Sequence, residues 1–146
     1  GASAIEREYE ASDQRRYFVP CPHCSHRQWL RFEQLRWEKA QPDTAAYICE
    51  SCDEPIAEHH KTWMLEHGEW RALISDGTGK TAGFHLSSLY SPVGWRSWRD
   101  SAAAWESSVN KESGSAAAIK TFKNTELGET WVGRRSARLA TAGRAP

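Results

Sequence analysis

The chain contains four cysteines, and all of them belong to two C-x-x-C pairs, Cys21–Cys24 and Cys49–Cys52. Each pair is short enough for both thiolates to bind one metal ion from a single tight turn, and two such turns supply the four sulfurs of a tetrahedral zinc site. The 24 residues between the pairs slightly exceed the usual spacing. The pattern predicts a closed structural zinc site with four ligands: Cys21, Cys24, Cys49 and Cys52.

Two other interpretations of the cysteines stay open. Four buried, reduced thiols would need no metal, and a redox-active pair would need a helix N-terminus after a strand, although the flanking sequence lacks such a βαβ pattern. The residue after the second cysteine of a metal-binding turn is favoured to be Gly, because its backbone often takes a positive φ. Ser25 and Asp53 stand there instead, and Asp tolerates that conformation better than Ser. Four sulfurs leave no open coordination position, so we expect no hydrolytic role for the zinc.

The six histidines do not form a second metal motif. His23 and His26 lie in or beside the first cysteine turn, where they are surplus once four cysteines bind. The adjacent His59 and His60 would point about 100° apart on a helix, which makes them poor joint ligands. We expect one metal site and no second one.

No catalytic residues emerge from the sequence. The segment 77–81 (GTGKT) resembles the end of a phosphate-binding loop, but the motif requires Gly at position 74, which holds Ile74. A hairpin turn is the preferred interpretation of this segment. Acidic residues are scattered, and no set of nucleophile, base and acid can be assembled from them. We therefore assign no catalytic residue and no cofactor other than structural zinc.

Arginines alternate with aromatic residues beside the first cysteine pair. Arg27, Arg31 and Arg36 are interspersed with Trp29 and Trp37, an arrangement that can contact phosphates and stack on bases. The alternative is a sheet with its apolar residues inward and its arginines in solvent. The three arginines are candidate nucleic-acid contacts on this basis.

Composition restricts the classes of partner. Lys+Arg and Asp+Glu both number 19, so net charge gives no general attraction to nucleic acid or membranes. No run of about 18 apolar residues is present, and no secretory signal is visible, so we expect neither a membrane span nor export. C-x-x-C pairs without an export signal indicate a reducing compartment. The segment after Glu129 is basic, with four arginines and no acid.

The elements around the cysteines predict a zinc ribbon over residues 17–55. Strand candidates are residues 17–20, 27–32 and 45–48, with an extension at 35–37 and a turn at 41–44. Strands leading into and out of two C-x-x-C turns are the layout of that fold. Residues 1–16 are polar and form a lead-in, either helical or extended.

The rest of the chain predicts a hairpin and short helices. A helix over 58–66 precedes two strands, 69–74 and 82–86, which the turn at 76–79 would join as a hairpin. Ser97 with Asp100 predicts a helix start, and a further helix is expected from about Ser115 to Leu127. The predicted fold class is α+β, a small antiparallel zinc-ribbon unit followed by a β-hairpin and two or three short helices.

Five segments, in order between about residue 5 and residue 131, are distinctive beyond the cysteine pattern: 5–9 (IEREY), 12–24 (SDQRRYFVPCPHC), 47–50 (YICE), 83–92 (GFHLSSLYSP) and 121–131 (TFKNTELGETW). Together they resemble a known family, the large subunit of tailed-phage DNA-packaging terminases in its lambda-like branch. In such proteins an ATPase motor precedes this region and a metal-dependent nuclease follows it. The resemblance implies that the four cysteines form a site that the family also has. The catalytic residues of the motor and of the nuclease have no counterpart in this sequence.

The resemblance also implies a domain organisation and a set of partners. Residues 1–16 would lead in from the motor, 17–55 form the ribbon, 56–131 form a mixed connector, and 132–146 form a basic tail that departs from the family and is expected to be disordered. Implied partners are double-stranded DNA, the motor and nuclease domains, and a small subunit or portal, in the bacterial host cytoplasm. The departing tail fits either an excised fragment or a prophage remnant.

Three functions follow as hypotheses. The leading one is a non-catalytic, zinc-binding connector of a terminase large subunit. The second is a free-standing zinc-ribbon protein that binds nucleic acid without a motor, which predicts affinity that falls steeply with salt. The third, an intact enzyme, would require turnover from a chain without a recognisable active site.

Overall fold

The computed structural model describes residues 4–74, 81–110 and 129–134, and this part of the chain is a mixture of helices and strands in two compact units. Its α-helices are α1 (Ala4–Glu10), α2 (Lys61–Glu66) and α3 (Trp98–Asn110). Its strands are β1 (Arg15–Pro20), β2 (Arg27–Trp29), β3 (Leu35–Glu38), β4 (Gln41–Ile48), β5 (Pro55–Ile56), β6 (Glu69–Ala72), β7 (Thr81–Leu86) and β8 (Glu129–Arg134). The predicted α+β class is confirmed.

The first unit contains α1 and a sheet built around β7. The first half of β1 runs parallel to β7, with Arg15 opposite Phe84, and β8 runs antiparallel to β7 along its whole length. Strand β6 also pairs with β1. A Cβ added at Gly83 would clash with Ser12 Oγ and lie 2.7 Å from Tyr9 Cδ1, so α1 and the residues that follow it pack closely on β7. Glycine at this position is what allows so close an approach.

The second unit contains both cysteine turns. The second half of β1 pairs antiparallel with β2, from Phe18 opposite Trp29 to Pro20 opposite Arg27. A separate antiparallel sheet has the strand order β3-β4-β5. The first cysteine turn joins β1 to β2, and the second joins β4 to β5. Each turn is therefore held by a strand on both sides.

Buried aromatic side chains make up much of the core of the second unit. Trp98 and Tyr47 are completely buried, with their rings 5.8 Å apart. The polar atom of each ring is hydrogen-bonded: Trp98 Nε1 donates to Leu89 O at 3.0 Å, and Tyr47 Oη accepts from Arg31 N at 2.9 Å. Large aromatic rings give a small unit a large buried area, which it needs because short chains bury little surface.

Helix α3 begins where the sequence predicts. Ser97 Oγ accepts from Asp100 N at 2.9 Å, and Asp100 Oδ2 accepts from Ser97 N at 3.0 Å. This reciprocal pair is a capping box, which satisfies backbone donors that a helix N-terminus leaves without partners. The hydrogen bond from Ser97 also lowers the pKa of Asp100.

Three sequence predictions need correction. The strands at 69–72 and 81–86 do not form the expected hairpin, since each pairs with β1 and β7 takes β8 as its antiparallel partner. Residues 41–44, expected as a turn, open strand β4, and the turn lies immediately before that strand, at Lys39 and Ala40. Residues 132–134, expected at the start of a disordered tail, belong to β8. The predicted turn at 76–79, the helix over 115–127 and the remaining tail lie outside the described residues.

None of the helices in the described ranges combines the length and apolar character that a membrane crossing requires.

Candidate metal centre

The two cysteine turns have the same backbone geometry. Ser25 N donates to Cys21 O at 2.9 Å, and Asp53 N donates to Cys49 O at 3.0 Å. Ser25 has a φ of 66° and Asp53 a φ of 61°, so both take the left-handed conformation that the sequence analysis expects after the second cysteine. Each turn thus carries two cysteine side chains toward one point.

The four sulfur atoms come together in one cluster. All four Sγ atoms lie within 4.8 Å of one another. Cys24 Sγ lies 3.7 Å from Cys49 Sγ, and Cys21 Sγ lies 3.9 Å from Cys52 Sγ. Zinc–sulfur bonds of about 2.3 Å in a tetrahedron would place the sulfurs about 3.8 Å apart. The cysteine residues therefore fit a four-sulfur zinc site in both ligand type and spacing.

N–H groups point at two of these sulfurs. Cys21 Sγ accepts from His23 N at 3.3 Å, and Cys49 Sγ accepts from Ser51 N at 3.3 Å and from Cys52 N at 3.5 Å. Cys49 Sγ has an additional side-chain donor, Gln28 Nε2, at 3.3 Å. Donors of this kind stabilise thiolates, the form in which cysteine binds a metal.

The two buried cysteines differ in their tendency to ionise. Burial raises the pKa of Cys21 to about 12. Burial also opposes ionisation of Cys49, but the donors from Cys52, Gln28 and Ser51 outweigh it and lower its pKa to about 6. Cys24 is exposed and Cys52 is half-buried, so the cluster is open to solvent on one side. A metal could enter from that side.

The histidines do not join the cluster. His23 Nε2 lies 3.2 Å from Pro55 O, and His26 Nε2 lies 2.8 Å from Glu50 Oε2. The rings of His59 and His60 are tilted by 39° to each other, with centroids 4.0 Å apart. Within the described ranges, the cysteine quartet is the one group of His, Cys, Asp or Glu side chains that could hold a metal.

The three candidate nucleic-acid contacts are engaged within the second unit. Arg27 forms an ion pair with Glu69 at 3.4 Å and donates to His67 O at 2.7 Å. Arg31 Nη2 lies 3.0 Å from Glu50 Oε1. Arg36 donates to the carbonyl oxygens of Glu33 and Leu35. The carboxylates offset part of the charge that Arg27 and Arg31 offer to a phosphate, whereas the carbonyl oxygens only occupy donors of Arg36. A role of the three arginines in nucleic-acid binding stays a prediction.

Sequence reasoning missed two buried polar residues. Gln28 is 1% exposed and contacts the second cysteine turn, and Lys61 is completely buried beside Glu58 and the Trp98 ring. One signal was available for Gln28. In the predicted strand 27–32 it lies on the same face as Leu30, an apolar residue that is also buried. For Lys61 the i,i+3 spacing to Glu58 was a local signal of an ion pair, but its burial was not predictable, because Arg96 O and the Trp98 ring come from a distant part of the chain.

Two family models match consecutive parts of the chain. The model described as phage terminase large subunit gpA, ATPase domain, matches residues 1–70, and the model described as terminase large subunit gpA, endonuclease domain, matches residues 81–143. The four cysteines lie in the first range. The second range extends into the segment that the sequence analysis expects to depart from the family.

Curated proteins give the same picture. The terminase large subunit of Enterobacteria phage P21 is 30% identical over 153 residues, and that of Escherichia phage lambda is 29% identical over 153 residues. Each match covers 90% of this chain and 23% of the relative. The chain thus spans about a quarter of the length of the curated relatives it matches. No solved structure matches it.

Proposed function

Because this chain belongs to the phage terminase large-subunit family, whose function is DNA packaging, we propose that it contributes a structural zinc module near the junction of the ATPase and nuclease parts of such a protein. The observation that carries the zinc assignment is the convergence of four Sγ atoms within 4.8 Å. Cys21, Cys24, Cys49 and Cys52 would hold the ion, and it would supply a cross-link between the two turns.

The position of the module supports a connecting role. The matched ranges leave residues 71–80 between the ATPase and endonuclease models. Both cysteine turns lie in the range of the ATPase model, and the second one, Cys49–Cys52, precedes that gap by residues 53–70. Two turns joined by one ion would hold the ends of β1, β2, β4 and β5 in a defined geometry. A fixed unit at this place would restrict how the chain passes from one part to the next.

The proposed role is architectural, and the chain by itself is proposed to be non-catalytic. Four cysteine ligands would fill every coordination position of a tetrahedral zinc, so no position remains for water or substrate. Zinc would instead contribute to folding, because a sheet with strands of two to eight residues has little core of its own.

We propose partners from the family, and we weigh nucleic-acid binding by the contacts of the candidate arginines. Double-stranded DNA, a small subunit or a portal are the candidates, together with the motor and nuclease domains of the same kind of protein. A free-standing nucleic-acid-binding ribbon is less well supported, because Arg27 and Arg31 already face carboxylates. Titration of the chain with duplex DNA at low and high salt compares the two proposals, since the free-standing protein requires tight, salt-dependent binding.

The zinc proposal is tested on the purified 146-residue chain. Elemental analysis should find one zinc per chain, and X-ray absorption should find four sulfur neighbours at about 2.3 Å. Removal of the ion with a strong chelator should change the circular dichroism spectrum. A zinc-free preparation whose spectrum does not respond to a chelator would contradict the proposal.

A further inference from the structure

Gln28 connects the two cysteine turns through its side chain. It lies on β2, just after the first turn, and only 1% of it is exposed. Its Nε2 donates to Cys49 Sγ at 3.3 Å, and its Oε1 accepts from Glu50 N at 3.0 Å, both in the second turn. A buried amide is unfavourable unless its hydrogen bonds are made. The second turn supplies one donor and one acceptor that meet this requirement.

The orientation of this amide follows from its partners. Glu50 N is a backbone N–H and can only donate, so the oxygen of the Gln28 amide must face it. The NH₂ group then faces the sulfur of Cys49, where it can only donate. Flipping the amide would place two donors opposite each other and leave Cys49 Sγ facing an oxygen. The hydrogen-bond network therefore determines which atom contacts the sulfur.

We propose that Gln28 is a positioning residue of the zinc site, which fixes the Cys49 thiolate and withdraws negative charge from it. This inference rests on the proposed zinc module. Four thiolates around Zn²⁺ carry a net charge of −2, so a donor that faces one sulfur stabilises the loaded state. Hydrogen-bonding partners of metal ligands commonly change metal affinity by about 10- to 100-fold.

The position of Gln28 makes this effect specific to one ligand. Backbone N–H groups serve Cys21 and Cys49 from within their own turns. Gln28 instead reaches Cys49 from the strand that follows the other turn. It therefore couples the placement of the second turn to the register of β1 and β2, in which Gln28 lies opposite Val19.

The most direct test uses the unaltered chain loaded with ¹¹³Cd²⁺. A nitrogen that donates to a metal-bound sulfur shows a scalar coupling to cadmium through the N–H···S bond. We expect couplings at the backbone amides of His23 and Ser51 and at the side-chain amide of Gln28. Couplings at the two backbone amides without one at Gln28 would overturn the inference and leave the metal site intact.

A second test separates the two hydrogen bonds of Gln28. The Gln28→Glu variant keeps an oxygen for Glu50 N but loses the donor to Cys49 Sγ. We expect its zinc affinity, measured by chelator competition, to fall about 10- to 100-fold. In the Co²⁺-loaded variant, the sulfur-to-metal charge-transfer band should move to longer wavelength, because the Cys49 thiolate becomes a stronger electron donor.

Gln34→Glu is the matched control. Gln34 makes the same chemical group available in the same unit, but it donates to Ile48 O at 2.8 Å and not to a sulfur. Its cobalt spectrum and zinc affinity should stay close to those of the unaltered chain. Equal spectra and affinities for both variants would contradict the role of Gln28, whereas failure of the unaltered chain to bind any metal would contradict the zinc module itself.

Discussion

Single residues in the cysteine turns carry backbone conformations that their side chains disfavour. Ser25 and Asp53 both have φ near 60°, where an L-residue other than Gly, Asn or Asp pays a conformational cost of about 1–2 kcal/mol. The turns adopt this conformation nonetheless, and backbone hydrogen bonds close them on both sides of it: Cys21 N donates to His26 O at 2.9 Å, and Cys49 N donates to Glu54 O at 3.1 Å. This cost can be removed by substitution.

Ser25→Gly should stabilise the zinc-loaded chain by about 1 kcal/mol, because Gly adopts positive φ without steric cost. Asp53→Gly should give a smaller gain, since Asp tolerates this region better than Ser. Urea denaturation of the zinc-loaded proteins measures both free energies of unfolding. Ser51→Gly is the control: Ser51 lies in the second turn but does not itself have a positive φ, so the added backbone freedom should destabilise the chain. A loss of stability in Ser25→Gly would contradict the argument.

Lys61 and Glu58 form an ion pair on which two elements depend. Lys61 Nζ lies 2.6 Å from Glu58 Oε2 and 3.3 Å from Arg96 O, and Glu58 Oε1 accepts from Trp98 N at 2.7 Å. The pair therefore joins α2 to the first residue of α3. Removing one partner of a buried pair leaves the other charge without compensation.

Lys61→Met should destabilise the chain by about 2–3 kcal/mol, somewhat less than for a fully buried pair because the Glu58 side chain is 24% exposed. The double variant Glu58→Gln with Lys61→Met should lose clearly less than the sum of the single variants, since no uncompensated charge remains. A double-mutant cycle by urea denaturation provides the comparison. Strict additivity would show that the two charges do not interact.

Among the elements, the strands next to the cysteine turns are expected to depend most on the proposed metal. Strands β2 and β5 have three and two residues, and such short strands are marginal without further support. The ion would join the turn between β1 and β2 to the turn between β4 and β5.

A chelator should therefore unfold the region 17–55. Hydrogen exchange followed by mass spectrometry should show loss of amide protection in β2 through β5, and zinc addition should restore it. A Cys49→Ser variant should show the unprotected pattern even with zinc present. Unchanged protection after zinc removal would mean that the strands fold without the ion.

Packing of α1 on β7 can be tested separately. An added methyl group at Gly83 would meet Ser12 Oγ and, at 2.7 Å, Tyr9 Cδ1, so Gly83→Ala should destabilise the chain by about 1–3 kcal/mol through overpacking. Thermal denaturation measures the change. Adding Ser12→Ala should recover part of it, because one of the two clashing side chains becomes smaller. A fully tolerated Gly83→Ala would contradict the close approach.

The whole molecule combines a balanced charge with a candidate metal site in which four cysteines would be the only ligands. Equal numbers of basic and acidic residues provide no general attraction to DNA, and the proposed zinc has no free coordination position. We therefore expect the chain to act as one part of a larger protein of the terminase large-subunit family.

The isolated chain should neither hydrolyse ATP nor cleave DNA above background, with zinc, magnesium or manganese present. Phosphate release and plasmid nicking are the measurements, with a Cys49→Ser preparation as the control for contaminating enzymes. Turnover that depends on the unaltered chain would contradict the non-catalytic role. Residues 81–143, which match the endonuclease model, would then be the first place to look for catalytic residues.

Local patterns were readable from the sequence because each depends on residues a few positions apart. The C-x-x-C spacing predicted two turns, and Ser97 with Asp100 predicted the start of α3. The positive φ after the second cysteine of each turn was expected as well. In each case, side chains and backbone within one turn make the stabilising hydrogen bonds, so no distant part of the chain is needed.

Partners that are distant in sequence were determined by the tertiary structure. The strands at 69–72 and 81–86 looked like a hairpin, yet β7 pairs with β1 and β8. Gln28 looked like an ordinary strand residue, and its burial follows from a turn 21 residues away. The two cysteine pairs alone indicated the type of candidate site, since the ligand atoms and the spacing within each pair are local. Which strands and side chains support it depended on burial and hydrogen bonding summed over the folded chain.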